Sequence, residues 1–319
     1  MKRLYELVIE LTDRCPLNCQ HCSSNSGPSC TNLLSREVLE KVLIEAQHLR
    51  AQKISFGGGE PTMAPLFLDT LRSTLRHGFA AEVFTCGVVL DDTERPVSFS
   101  SDFLLELASL GDRVTLVFSF HGSCDSVHDS VTGVSHSFRC LLDSLRKSLS
   151  MGISCTANFV PTRMNAFDFA KTVSMLESIG IHKLSVLRLV PQGRGLSNRE
   201  TLELSSEEED CFVNDLVSLR GGVDLEIRTG SPFNGIVPDN NIPCRAGLNK
   251  LVVQPDGNVL PCEVFKHHGR RNWGASVYTM SLEEILDLPQ FVLLQETVSD
   301  HCVICPVHSI LRSQLSHQE

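Results

Sequence analysis

The chain is expected to fold as an α/β protein, with parallel strands joined by helical crossovers and a small β-hairpin module at its C-terminal end. Two features carry that expectation. Up to Val190, short β-rich apolar runs alternate with segments whose apolar residues recur at helical spacing, the pattern of successive βαβ units. Beyond Cys244 the pattern changes to two apolar runs around Asp256-Gly257, a hairpin signal, with cysteines on either side.

Residues 4–11 (LYELVIEL) are rich in β-formers and alternate imperfectly, so they are predicted as the first strand. Residues 35–50 place Val38, Leu39, Val42, Leu43, Ala46 and Leu49 on one helical face, with Ser35 as N-cap. Residues 53–56 form a second strand that runs into Gly57-Gly58-Gly59-Glu60-Pro61; glycines there permit positive φ and close backbone approach. Strands at 81–85, 114–120, 153–160 and 183–190 follow, separated by helices at 65–77, 102–110, 138–151 and 167–179. Ligands of such sheets bind at the C-terminal ends of the strands. Residues 197–241 are more polar and include Glu207-Glu208-Glu209-Asp210, an acidic helix start, and read as a bridge. The expected division is therefore 1–200, 201–243 and 244–319.

With 319 residues, 42% hydrophobic and 21% charged, the chain can bury a full core. A net charge of -10 argues against a broad phosphate-binding surface, so nucleic acid is not an expected partner. No apolar run reaches membrane-spanning length, and the start reads as a strand rather than a signal peptide. Thirteen cysteines in such a chain point to metal or redox chemistry in the cytoplasm rather than to a disulfide framework.

Cys15, Cys19 and Cys22 stand at spacing C-x3-C-x2-C just after the first strand. Thiolates select zinc, copper(I) or iron–sulfur clusters, and three ligands rather than four leave a position open. A second set comprises Cys244 and Cys262, which flank the hairpin, and the pair Cys302 and Cys305. Four such ligands make a closed site, and zinc and iron–sulfur remain equal readings of it. Of the other six cysteines, Cys30, Cys140, Cys155 and Cys211 read as small buried hydrophobes. Cys86 and Cys124 lie near strand ends, where a thiol could serve as a hydrogen donor to a bound ligand.

On these residues the chain resembles the radical S-adenosylmethionine (SAM) enzymes. The cysteine triad with His21 at its aromatic position matches that family's cluster motif, and Gly58-Gly59-Glu60 matches its "GGE" motif. The resemblance implies a partial (β/α)6 barrel and a [4Fe–4S] cluster on Cys15, Cys19 and Cys22. It also implies SAM bound at the free iron and cleaved reductively to a 5′-deoxyadenosyl radical that abstracts a substrate hydrogen. Gly58, Gly59 and Glu60 would contact the SAM amino group. Ser119-Phe120-His121-Gly122 is similar to the family's S-x-D-G segment, which turns Ser119 toward SAM and puts His121 where Asp is usual. Asn158 is similar to a polar residue near the SAM carboxylate or ribose. Pro191-Gln192-Gly193-Arg194-Gly195 resembles a turn of members with an auxiliary-cluster domain, so Arg188 or Arg194 can hold an anionic group. The C-terminal cysteines resemble the SPASM domain in its shortened Twitch form, with one auxiliary [4Fe–4S] cluster.

Three functions are compatible with this reading. The first is maturation of a ribosomally made peptide by crosslinking, epimerisation or oxidation. The second is dehydrogenation or tailoring of a small molecule such as a sugar alcohol or tetrapyrrole precursor. The third is a non-enzymatic zinc scaffold. Either enzyme would draw electrons from a donor such as flavodoxin or ferredoxin.

Overall fold

Strand β1 (Glu6–Thr12) is buried along its whole length although it carries two glutamates. The computed structural model describes residues 3–266 and 273–299; Cys302 and Cys305 lie outside the described residues. The further strands are β2 (Lys53–Gly58), β3 (Ala80–Thr85), the short pair β4 (Val89–Leu90) and β5 (Pro96–Val97), β6 (Val114–Phe120), β7 (Ser154–Phe159), β8 (Lys183–Val186), β9 (Glu226–Thr229), β10 (Lys250–Val253) and β11 (Val259–Leu260). All except β4 and β5 form one nine-stranded sheet in the order β11-β10-β1-β2-β3-β6-β7-β8-β9. Every pairing in it is parallel except the β10–β11 hairpin.

Helices α1 (Arg36–His48), α2 (Phe67–Arg76), α3 (Ser101–Ala108), α4 (Asp125–Thr132), α5 (Ser137–Ser150) and α6 (Phe169–Ser178) make the crossovers. Apart from α4, which lies against the cysteine loop, their apolar stripes pack on one face of the sheet. Val38, Val42, Leu71, Leu141 and Val173 join Leu7, Ile9, Phe56, Leu116 and Phe159 in the main core. The short α7 (Arg194–Ser197) and α8 (Arg199–Leu202) lead to α9 (Ser206–Arg220), and α10 (Leu282–Leu286) and α11 (Pro289–Ser299) close the described chain. Ser35 caps α1 as expected, accepting from Val38 N. The acidic run begins α9 with a reciprocal capping box between Ser205 and Glu208. Among the described residues no helix is long and apolar enough to cross a membrane.

Three elements differ from expectation. Strand β8 stops at Val186 rather than residue 190, because its outer neighbour β9 offers only Glu226–Thr229 for pairing. Strand β9 lies inside the segment read as a bridge; it is an edge strand that buries only Ile227 fully, so its sequence looks polar. The hairpin forms around Gly257, whose φ is +80°, but it does not stand apart. Strand β10 pairs in parallel with β1, Glu6 opposite Lys250, so the hairpin continues the main sheet. None of the four cysteines read as buried hydrophobes is fully enclosed, and Cys211 is exposed.

The face of β1 opposite the helices carries Glu6, Val8 and Glu10, since side chains alternate along a strand. Val8 packs there with Val252, Leu260, Val264, Phe265 and Leu294, a second apolar cluster supplied by the C-terminal region. Glu6 accepts from Ser55 Oγ at 2.6 Å and lies 3.4 Å from Lys53 Nζ and 3.2 Å from Lys250 Nζ. Burial alone would raise its pKa, but the two ammonium groups overcome it and hold the carboxyl at about 2, against an ordinary 4.5. A depressed carboxyl contributes stability that is complete above the unfolded pKa and is lost as pH falls through the folded one. The Glu6→Gln variant is therefore expected to be less stable than the parent by about 3 kcal/mol near neutrality. Under anaerobic urea denaturation that gap should narrow between pH 4.5 and 2; a gap that stays constant with pH would remove the coupling.

Candidate active site

The cysteine loop leaves β1 and is held from three sides by backbone contacts. Within it, Cys15 N donates to Gly27 O at 3.0 Å, and Asp13 accepts from Asn32 N at 2.8 Å. From α4, Thr132 O and Val131 O accept from Asn18 N and Gln20 N at 3.0 and 2.8 Å. From the turn after β8, Arg194 donates through its backbone N to Cys22 O (3.0 Å), through Nε to Cys19 O (2.9 Å) and through Nη2 to Ser26 O (2.7 Å). The two glycines beside Arg194 are there for closeness. A Cβ on Gly193 would meet Cys22 O at 2.7 Å, and one on Gly195 would meet His21 O at 3.0 Å.

The Gly57-Gly58-Gly59 turn has the same explanation on the opposite side. Gly59 N donates to Thr12 O and Glu60 N to Arg14 O, at 2.7 and 2.8 Å. A Cβ on Gly58 would lie 2.4 Å from Thr12 O, and one on Gly59 only 2.1 Å from Arg14 O. Glu60 is 1% exposed, and its carboxylate accepts from Thr62 N, Thr62 Oγ1, Thr85 Oγ1 and Cys86 N. The carboxylate therefore ties the end of β2 to the end of β3. The Glu60 side chain is thus fully engaged within the protein.

The cysteines of the triad stand near enough to shift one another's ionisation. Burial pushes the Cys19 thiol well up, and Cys15 and Cys22 beside it push the same way, while Arg194 acts against them. Cys86 joins this group. Burial raises its thiol first, and neighbouring Cys15 and Glu60 raise it further. A fourth sulfur thus sits at the edge of the triad as a protonated thiol at neutral pH. Sequence reasoning placed Cys86 near a strand end but did not pair it with Cys15.

Three histidines stack at the loop, with His121 and His128 buried and His21, part of the loop itself, half-buried. The ring of His21 meets that of His121 edge-on at 4.6 Å, and His121 lies 5.4 Å from His128, whose Nδ1 accepts from His121 N. Burial, the largest cause for each, lowers all three pKa values, to about 4 for His21 and His128, so the stack is neutral at pH 7. Nδ1 of His21 and Nδ1 of His121 are both buried without a hydrogen-bond partner. An orphaned buried polar atom costs about 1–3 kcal/mol, and two at one strand end mark a place for a bound group. The sequence signal was His121 at the family's Asp position; the stack with His128 was not legible.

The remaining predicted residues lie as follows. Ser119 on β6 and Asn158 on β7 are register partners at the C-terminal end of the sheet. Arg188 is engaged elsewhere, 3.0 Å from Glu209 and donating to Pro232 O, so Arg194 is the arginine that reaches the cysteine loop. Cys124 is exposed before α4, its sulfur 3.2 Å from Ser126 Oγ. In the C-terminal region Cys244 and Cys262 both border the second apolar cluster, together with Trp273. Gly247 N donates to Pro261 O at 3.0 Å, closing the chain between them. Burial first, and then Glu263, push the Cys262 thiol up.

A family profile described as the Radical SAM superfamily matches residues 9–176. The chain belongs to the radical SAM superfamily. A second profile, the iron–sulfur cluster-binding SPASM domain, matches residues 244–306 of this radical SAM enzyme. Among curated proteins the enzyme is similar to a PqqA peptide cyclase of Gluconobacter oxydans, at 27% identity over 80% of this chain and 69% of that protein. It is also similar to the mycofactocin maturase MftC of Mycobacterium ulcerans, at 26% identity over 82% of this chain and 69% of that protein. Among solved structures, Streptococcus suis SuiB bound to S-adenosylmethionine superposes with a TM-score of 0.73 at 19% identity. That match covers 92% of this chain and 68% of that one. SuiB has also been solved bound to its precursor peptide SuiA (TM-score 0.72, 18% identity, 92% and 67% covered). These likenesses bear out the α/β radical SAM fold, with helices on one face of a mostly parallel sheet.

Membership brings iron–sulfur clusters of the [4Fe–4S] type and SAM as cofactors. The chain's residues fit them. Three cysteines of one loop stand close enough to act on one another electrostatically, glycine backbones lie where a side chain has no room, and two ring nitrogens are left without partners at the loop.

Proposed function

We propose that this radical SAM enzyme modifies side chains of a ribosomally synthesised peptide, by crosslinking, epimerisation or oxidation. The observation that supports it most is likeness over about four fifths of the chain to two kinds of peptide maturase, one named for PqqA and one for mycofactocin. The SuiB fold, known with a precursor peptide bound, agrees with it.

In this reading Cys15, Cys19 and Cys22 hold the cluster that leaves one iron open. Cys244, Cys262, Cys302 and Cys305 hold the auxiliary cluster. With SAM bound, the first cluster supplies a strong hydrogen-atom acceptor at the sheet's C-terminal edge. The protein's task is to place one substrate C–H bond against it and keep other donors away. Carbonyls of Gly58 and Gly59 suit an ammonium, and Ser119 and Asn158 offer polar groups on adjacent strands. The stacked His21 and His121 form a neutral wall with two free nitrogens. Cys86, a thiol kept protonated beside the triad, is the better placed hydrogen donor; Cys124 is exposed and less suited. The electron comes from a flavodoxin or ferredoxin, and the setting is the cytoplasm.

The test is anaerobic turnover with SAM, a reductant and a short peptide encoded beside the gene. Formation of 5′-deoxyadenosine should depend on the peptide. The peptide should lose two hydrogens, or gain solvent deuterium where epimerised, by mass spectrometry. Peptide-independent cleavage that rises instead with a polyol or a tetrapyrrole precursor would transfer the enzyme to the small-molecule class.

A further inference from the structure

Glu10, on the inward face of β1, forms an ion pair with Lys266 in which the two side chains are only 4% and 7% exposed. The same Lys266 Nζ donates to Ser24 Oγ at 2.6 Å, and Ser24 stands two positions after Cys22. Lys266 is carried by the segment that begins at Cys262, and that segment is anchored next to the cysteine loop at a second point, where Gln192 donates to Val264 O. Gln192 belongs to the same turn as Arg194, which binds the loop carbonyls of Cys19 and Ser26. The stretch after Cys262 thus grips the loop of Cys15, Cys19 and Cys22 with a buried ammonium.

Neither partner of this pair has another evident task. The fold already supplies apolar contacts on this face, from Val8, Val264 and Phe265. A buried ion pair is a poor device for stability alone, since desolvation offsets much of its attraction. What a fixed charge does reliably in a water-excluded place is bias electron transfer nearby. Iron–sulfur potentials respond to net charge, hydrogen bonds and exposure, and Coulomb interaction is strong where the dielectric is low.

We propose that the Lys266–Glu10 pair sets the reduction potential of the cluster on Cys15, Cys19 and Cys22. The ammonium stabilises the reduced cluster, which is one unit more negative, and Glu10 limits that effect. Because Lys266 extends from the strand of chain that follows Cys262, the SPASM region tunes the SAM-cleaving centre without touching SAM. Lys266 is a positioning residue in this scheme. The inference rests on the assignment of Cys15, Cys19 and Cys22 to the cluster.

The experiment is an EPR-monitored redox titration of reconstituted full-length enzyme without substrate. In Lys266→Met the midpoint potential of the SAM-binding cluster should move negative, and in Glu10→Gln it should move positive. The double variant should return near the parent, and Lys266→Arg should stay there. Opposite signs in the two single variants separate charge from loosened packing, which would shift both the same way. Unmoved potentials, or shifts of one sign in both, overturn the proposal. Should Lys266→Met not retain its cluster, Glu10→Gln alone decides, a positive shift supporting and no shift refuting. If the parent enzyme itself takes up no cluster on the triad, the site assignment has failed rather than the tuning.

Discussion

Replacing Cys15, Cys19 and Cys22 together by alanine is expected to abolish SAM cleavage and to remove about half of the iron, roughly eight atoms per chain falling to about four if both clusters are cubane. The iron that stays belongs to the C-terminal set. The reasoning is one of separable sites. The triad sits on a loop braced by backbone contacts from α4 and from Arg194, none of which uses a cysteine sulfur, so the loop's course survives loss of the thiols. Cys244 and Cys262 border their own apolar cluster, which includes Val8 of β1, and none of the loop's braces comes from either of them. Iron and sulfide analysis with a 5′-deoxyadenosine assay reads both parts. Persistent cleavage in the triple variant would move the cofactor to other residues. Loss of all the iron would show that the two regions fill only together.

The second large effect is expected at Gly59. An alanine methyl there would lie 2.1 Å from Arg14 O and 2.6 Å from Arg14 C, both backbone atoms that cannot swing aside. Something must give, and the loop is what moves. Overpacking of this sort costs about 1–3 kcal/mol, lowering the melting temperature by several degrees in a chain of this size. The displaced residue precedes Cys15, so Gly59→Ala should also lose the iron of the triad. Gly57→Ala is the matched control, because its Cβ meets nothing within 4 Å. It should keep iron and melt within a degree or two of the parent. If both variants retain full iron, the close approach is not what demands glycine at position 59.

Much of this was legible beforehand because it is local. The cysteine triad, the glycine turn and the alternation of strands and helices are each encoded within a few residues, and βαβ units repeat the same periodicities. What escaped depends on contacts between distant segments. Strand β9 looked polar because an edge strand buries one face of few residues. Arg194 in a glycine-rich turn reads as a holder of an anionic group, whereas in the fold it holds the backbone carbonyls of the cysteine loop. Glu6 and Glu10 interrupted an otherwise apolar strand, and their reason was invisible until Lys250 and Lys266 came up against them from the other end of the chain. The stacking of His121 on His21 is of the same kind, a meeting of β6 with the first loop.

That β1 is flanked by β2 on one side and by β10 on the other has a consequence for how the polypeptide is born. A nascent chain offers its first strand early but can complete that strand's second hydrogen-bonded border only when β10 emerges from the ribosome. Until then the molecule carries an unprotected edge, the usual invitation to mispairing, beside two carboxylates whose counterions have yet to be translated. Long-range pairings of this sort slow folding. Iron loading at the first loop is therefore expected to follow synthesis of β10, and a product truncated before that strand is expected to clump rather than to wait.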